Sequence, residues 1–334
     1  MPQDVVSLTD AGLYCPAGDF YVDPWRGVDR AVITHGHGDH ARYGSRAYHA
    51  ARSSVPILEK RLGEDQTIIG HAFGESIELG DARVSFHPAG HVLGSAQVRI
   101  DVGGEVWVVS GDYKRAADSS CEPFELVACD AFITEATFAL PIYRWPPVDA
   151  VVDELIAWWD GNARAARPSV LFAYALGKAQ RLLCGIAQRT DRPVYVHGAI
   201  KPLVELYRAQ GIAMPDCPLI SEQARGKDYA GELILAPPSA FGSTWMHRFS
   251  AASTGFASGW MRVRGNRRRR GFDRGFVVSD HADWPDLLRT VRETGATRIL
   301  ATHGYSESFA RFLREDAGLD AQPLQTLYEG ESAD

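Results

Sequence analysis

The chain has 334 residues, 45% of them hydrophobic and 23% charged, which is enough for one large core or two domains and unlike a disordered composition. Its formal net charge of −7 argues against a protein that coats nucleic acid, while leaving room for a local basic site. No apolar run approaches membrane-spanning length, the stretch around Asp4 and Asp10 lacks the features of a signal peptide, and five scattered cysteines without a C-x-x-C pair fit a reducing, cytoplasmic setting.

Short strands separated by turns are expected first, at residues 13–15, 20–22 and 31–33, with Ala17-Gly18-Asp19 and Asp23-Pro24 as turn signals. The third strand runs into Thr34-His35-Gly36-His37-Gly38-Asp39-His40, where four potential metal ligands fall within six residues. The glycines between them permit close backbone approach and positive φ. Imidazole and carboxylate without thiol suit Zn²⁺ or Mn²⁺. Single histidines are usually surface or core residues, and His49 and His71, which lack ligand neighbours, read that way. The block H-x-H-x-D-H does not.

Residues 53–62 read as a helix with serine at the N-cap and Pro56 in the first turn. Strands resume at 76–79, 83–87 and 97–102, and His91 follows a strand and a glycine much as the first ligands do. The apolar run 106–109 ends in Ser110-Gly111-Asp112, whose carboxylate could bind a metal or cap a following helix. Strand 131–134 ends in Glu135. Packing alone does not explain four successive strands that end in ligand-type residues.

The chain changes character between residues 140 and 147. Helices at 148–159 and 201–210, strands at 169–174, 194–196, 219–220 and 232–236, and a helix opening at Gly177-Lys178 imply a small parallel sheet with crossover helices. The Gly177 turn, with Lys178 and Arg181, reads as a phosphate site at a helix N-terminus or as a plain turn with surface cations. Residues 262–274 hold seven arginines against one acid. Such runs are often solvated loops, but this one lies just before His281 in an acidic chain, so phosphate contacts by Arg267, Arg268, Arg269 and Arg270 are favoured. Ser279-Asp280-His281-Ala282-Asp283 then precedes a helix at 284–293, which leaves His281 as a functional histidine or a helix-entry residue beside a capping aspartate. A strand ending in Thr302-His303-Gly304-Tyr305 and a helix from Ser306 or Glu307 complete the pattern.

In this order, T-H-G-H-G-D-H, G-H, S-G-D, T-E-A-T, S-D-H-A-D and T-H-G-Y resemble the motifs of β-CASP nucleases in the metallo-β-lactamase superfamily. The likeness covers nearly the whole chain and is greatest to the bacterial ligase-associated DNA exonuclease group, which occurs alongside a DNA ligase and a helicase. It implies an α/β fold, an αββα sandwich from residues 1–140 and 275–334, with a β-CASP insert at 141–274 that closes a cleft lined in part by Ser258. It further implies one divalent metal on His35, His37 and His91, a second on Asp39, His40 and His303, and Asp112 as the bridge. Two such ions about 3.5–4 Å apart activate a hydroxide for in-line attack on phosphorus, with Asp39 among the catalytic groups. His281 would contact the phosphate and protonate the leaving oxygen, with Glu135 fixing its tautomer.

His37 stands where di-iron redox relatives carry glutamate, and glyoxalase-type thioesterases lack the insert and the S-D-H-A-D segment, so the hydrolytic nuclease reading is preferred. DNA end processing is expected. RNA processing is the runner-up, because RNA-processing members keep the histidine found here as His303. An inactive nucleic-acid-binding scaffold is disfavoured, since all seven ligand positions are present.

Overall fold

The computed structural model describes residues 4–224, 226–263 and 271–325. It divides into one unit that runs to Arg144 and resumes at His281, and a second, Trp145–Asp280. The first unit is built on two mixed sheets. One takes its six strands in chain order, Ser7–Thr9, Gly12–Cys15, Phe20–Val22, Arg30–Val32, Ala47–Ala51 and Ile68–His71, antiparallel at first and parallel from Phe20–Val22 onward. The other has seven, ordered Asp320–Pro323, Arg298–Thr302, Ala131–Glu135, Glu105–Val109, Ala96–Val102, Ala82–Pro88 and Ser76–Leu79.

Phe20, Val22 and Val32 of the first sheet pack against Phe86, Val98, Ile100 and Trp107 of the second. Each such buried side chain contributes about 1.5–3 kcal/mol relative to exposure. Leu58 and Leu62 of the helix Val55–Leu62 cover Tyr48 and Ala50 on the first sheet's outer face. Helices Trp284–Glu293 and Ser306–Glu315 cover Phe132 and Ile299 on the second. The layers therefore run helix, sheet, sheet, helix. Every residue of Ala131–Glu135 is buried, as a strand covered on both faces requires.

One local expectation changes, the cap at Ser54, and the structural reading of His49 and His71 holds. Ser54 does not cap the helix Val55–Leu62; its hydroxyl donates back to the Ala51 carbonyl at 2.9 Å. His49 and His71 sit on neighbouring strands with Nδ1 and Nε2 3.0 Å apart, both buried, so they serve packing.

The second unit carries a five-stranded, all-parallel sheet ordered Val194–Val196, Leu233–Ala236, Ser169–Phe172, Ser253–Ala257 and Arg274–Phe276. Helices Val148–Arg164, Lys178–Ala187 and Lys201–Ala209 belong to it. The expected strand at 219–220 is instead a single bridge from Leu219 to Val196 followed by the 3-10 turn Ile220–Glu222. Ser253–Ala257 is an internal strand that the sequence reading does not contain. Because Arg274–Phe276 pairs with it, the unit extends past the boundary expected at 274 and begins at Trp145, not at 141. No helix among the described residues is long and apolar enough to cross a membrane.

Candidate metal centre

The ligand loop leaves the strand Arg30–Val32 through Thr34, whose backbone N–H and hydroxyl both donate to the Asp23 carboxylate, at 2.8 and 2.5 Å. Arg61 Nε donates to the Gly36 carbonyl at 2.6 Å, and His37's carbonyl accepts from the backbone of His40 and Ala41. Neither Gly36 nor Gly38 lies in the left-handed region, so positive φ is not what these glycines provide. A Cβ at Gly38 would stand 2.8 Å from the Arg61 guanidinium, a contact that the end of that flexible side chain could relieve. The left-handed glycine that matters is Gly111, at φ +55°, where a Cβ would meet that of Thr34 at 2.6 Å. This approach brings the next residue, Asp112, against the loop.

Three ligand groups share that carboxylate's neighbourhood. His37 Nδ1 lies 3.1 Å from His35 Nε2 and 3.0 Å from His91 Nε2, and Asp112 Oδ2 lies 3.5 and 3.7 Å from the same two Nε2 atoms. Nitrogens about 3 Å apart are what a single ion bound at about 2.1 Å by adjacent imidazoles needs. Asp39, His40 and His303 form the second group, with His40 Nε2 3.8 Å from Asp39 Oδ2 and 3.6 Å from Asp112 Oδ2. His40 Nε2 is buried and makes no hydrogen bond, a vacancy that a metal bond fits. His303 reaches the group from the end of Arg298–Thr302 with φ +59°. In the third group, His281 Nδ1 is 2.8 Å from Glu135 Oε2, and Glu135 Oε1 accepts the Tyr113 N–H at 2.8 Å.

Burial, with repulsion from His40, His91 and His37, holds His35 well below the ordinary histidine range, leaving it a neutral donor. Burial also opposes charge on His40, but Asp112, Asp39 and Asp23 overcome it and raise that group to about 10. Asp112 is pushed up to about 6 by burial, against the attraction of His40 and His281. Asp39 falls to about 2 despite its burial, through His40, His37 and His303. Buried carboxylates among crowded imidazoles call for positive charge at their common focus, and the nitrogen–oxygen donor set suits divalent ions.

Asp23 is the member that sequence reasoning missed. Its Oδ2 lies 2.7 Å from His40 Nδ1, which turns Nε2 toward the cluster, in the manner of a carboxylate that orients a metal-binding histidine. Replacing Asp23 by Ala should weaken metal binding at the Asp39, His40 and His303 group by about 10–100-fold. Competition with a chelating dye would measure this; unchanged affinity in a folded variant would remove the role.

Asp112 caps no helix, since none follows it before Val148–Arg164. Asp283 does cap Trp284–Glu293, accepting from the Asp286 N–H at 3.1 Å, while the His281 ring turns to Glu135. The proposed phosphate contacts have other surroundings. Gly177 begins its helix with φ +83°, and its N–H donates to Gln180 Oε1 at 2.7 Å. Lys178 and Arg181 are each 1% exposed, and Lys178 Nζ lies 3.0 Å from Asp280 Oδ1 and over the Tyr174 ring. Lys178 and Arg181 are therefore not the surface cations of a plain turn, and the Lys178 charge faces Asp280. Ser258 Oγ accepts from the Trp260 N–H as a cap of the turn Gly259–Arg262. Arg267, Arg268, Arg269 and Arg270 lie outside the described residues.

Fold and site together define a mixed α/β protein whose first unit carries adjoining histidine and aspartate groups suited to divalent cations. The chain is 33% identical over 328 residues to a "Probable DNA ligase" of Opitutus terrae, an alignment covering 96% of this chain and 31% of that protein. It is 22% identical over 232 residues to an "RNase J-like protein" of Methanocaldococcus jannaschii, covering 60% and 54% of the two, and 27% identical over 169 residues to "Endoribonuclease YSH1" of Gibberella zeae, covering 49% and 19%. The chain thus spans less than two thirds of the length of each of these relatives. A solved structure of a protein of unknown function from Enterococcus faecalis shares the fold with a TM-score of 0.57 at 14% identity, over 81% of this chain and 74% of that one. No family model matches the chain.

Proposed function

We propose that the chain is a metal-dependent phosphodiesterase of the β-CASP metallo-β-lactamase kind, an exonuclease that processes DNA ends in the cytoplasm during repair. One observation carries the reading: two buried ligand groups face the same Asp112 oxygen, with the His281–Glu135 pair 3.9 Å from it through His281 Nδ1. His35, His37 and His91 would hold one ion, Asp39, His40 and His303 the other, with Asp112 between them and Zn²⁺ or Mn²⁺ as occupants. Such ions supply an activated water and offset the charge of the phosphate. Glu135 accepts the Nδ1 proton of His281, so that Nε2 is the nitrogen left to donate toward a leaving oxygen. Phosphates along the strand are assigned to Arg267, Arg268, Arg269 and Arg270.

The name of the relative at 33% identity supports DNA as the polymer, and functional association with a DNA ligase and a helicase is the accompanying expectation. RNA is the second reading, favoured by His303 and by relatives named as ribonucleases. Turnover of matched DNA and RNA strands with Mn²⁺ or Zn²⁺ decides between them. Degradation of RNA with DNA left intact would overturn the choice, and cleavage of neither would overturn the nuclease reading itself.

A further inference from the structure

Away from the ligand groups, the first unit has a surface groove of about 450 Å³ lined by Arg144, Trp284, Pro285, Leu288, Arg289, Arg292 and Glu293. Three arginines face one glutamate there, in a chain whose formal net charge is −7. Glu293 is already engaged: its two oxygens accept from Arg289 Nε at 2.8 Å and Arg115 Nη2 at 2.6 Å. Arg144 and Arg292 are exposed and have no ion-pair partner among the described residues. The wall is the helix Trp284–Glu293, which starts three residues after His281 and is tied to the segment bearing Arg144 by a hydrogen bond from Trp284 N–H to the Tyr143 carbonyl. At about 1.5 Å per residue, Arg292 stands roughly 12 Å along the helix from Trp284, so the charges extend away from the catalytic end.

We infer that this groove is a second binding track, which holds the phosphodiester backbone of a single DNA strand whose end is at the metal centre. The inference rests on the nuclease reading and adds to it a site that reads strand length. A cationic groove with an apolar floor is the arrangement by which single strands are held without regard to sequence. Trp284, Pro285 and Leu288 supply the floor, and Arg144 and Arg292 the phosphate contacts.

The test is a double variant, Arg144→Ala with Arg292→Ala, measured by fluorescence anisotropy on phosphorothioate DNA strands of roughly 4 and 16 nucleotides. Affinity for the longer strand should fall roughly tenfold at low salt, and the slope of log affinity against log salt should become shallower by about 1.4, two contacts at about 0.7 each. The short strand should lose little. An exposed arginine elsewhere, Arg311, serves as the control: Arg311→Ala should leave both quantities as they were. An unchanged slope and affinity in a variant with the wild-type melting temperature overturns the track, as does equal loss on both lengths or tight binding of RNA alone. If the wild-type protein neither binds nor cleaves any strand, the nuclease reading has failed and not the groove alone.

Discussion

Asp112→Asn should lower phosphodiester hydrolysis by about three orders of magnitude and release both bound metal ions. The asparagine keeps the shape of the side chain and removes its charge, so the fold should persist. Its Oδ2 lies 3.5 Å from His35 Nε2, 3.6 Å from His40 Nε2 and 3.7 Å from His91 Nε2, so a single carboxylate oxygen is within ion-pairing distance of histidines from both ligand groups. Two cations held by the two ligand groups would repel each other, and the anionic oxygen of Asp112, near both groups, would offset that repulsion. An amide is a poor substitute because its oxygen carries only a partial charge. The expected loss corresponds to about 4 kcal/mol of barrier. Elemental analysis of the purified variant beside its hydrolysis rate makes the check: full activity, or two metal equivalents retained, would refute the bridging role.

Much of this centre was legible because it is local. His35, His37, Asp39 and His40 occupy one loop, and the remaining ligands follow strand ends, where an apolar run stops at a polar residue. Asp23 was not legible, because its role depends on a contact with His40 seventeen residues later, while its own neighbourhood, Asp-Pro, reads as a turn. The burial of Lys178 and Arg181 was hidden for the opposite reason. Cations at the start of a helix look exposed, yet all of the first six residues of Lys178–Ala187 are buried, and the partner that neutralises Lys178, Asp280, is a hundred residues away.

The fold shows the same division. Periodicity marked the alternation of strand and helix in the second unit, but Ser253–Ala257 carries a glycine at its centre and two hydroxyl residues at its start, which hides its strand character. That glycine is there because Phe276, Leu171 and Trp158 come within 3.0–3.3 Å of where a Cβ would be. Close approach is a property of the packed sheet and leaves no periodic trace. The edge strand Asp320–Pro323 ends in a proline and is short, so nothing in its own residues announces pairing with Arg298–Thr302.

His281→Ala should lower the rate on natural phosphodiesters by roughly 10²–10⁴-fold while leaving the metal content intact. The imidazole is 3% exposed and its Nδ1 faces Glu135, which makes Nε2 the nitrogen that would carry the donated proton. A donor of this kind matters in proportion to the basicity of the oxygen that departs. The same variant should therefore lose far less on a substrate whose leaving group is p-nitrophenolate, which departs without help. Equal losses on both substrates would sink the proton-donor role and leave His281 as a phosphate contact. Glu135 acts through that ring, and Glu135→Gln separates positioning from mere packing. One carboxamide oxygen cannot serve both the Tyr113 N–H and the His281 Nδ1–H, which the two carboxylate oxygens now accept. The protonated ring also loses its anionic neighbour, so the basic limb of the pH–rate profile should move to lower pH. A purely structural glutamate would lower the rate without moving that limb.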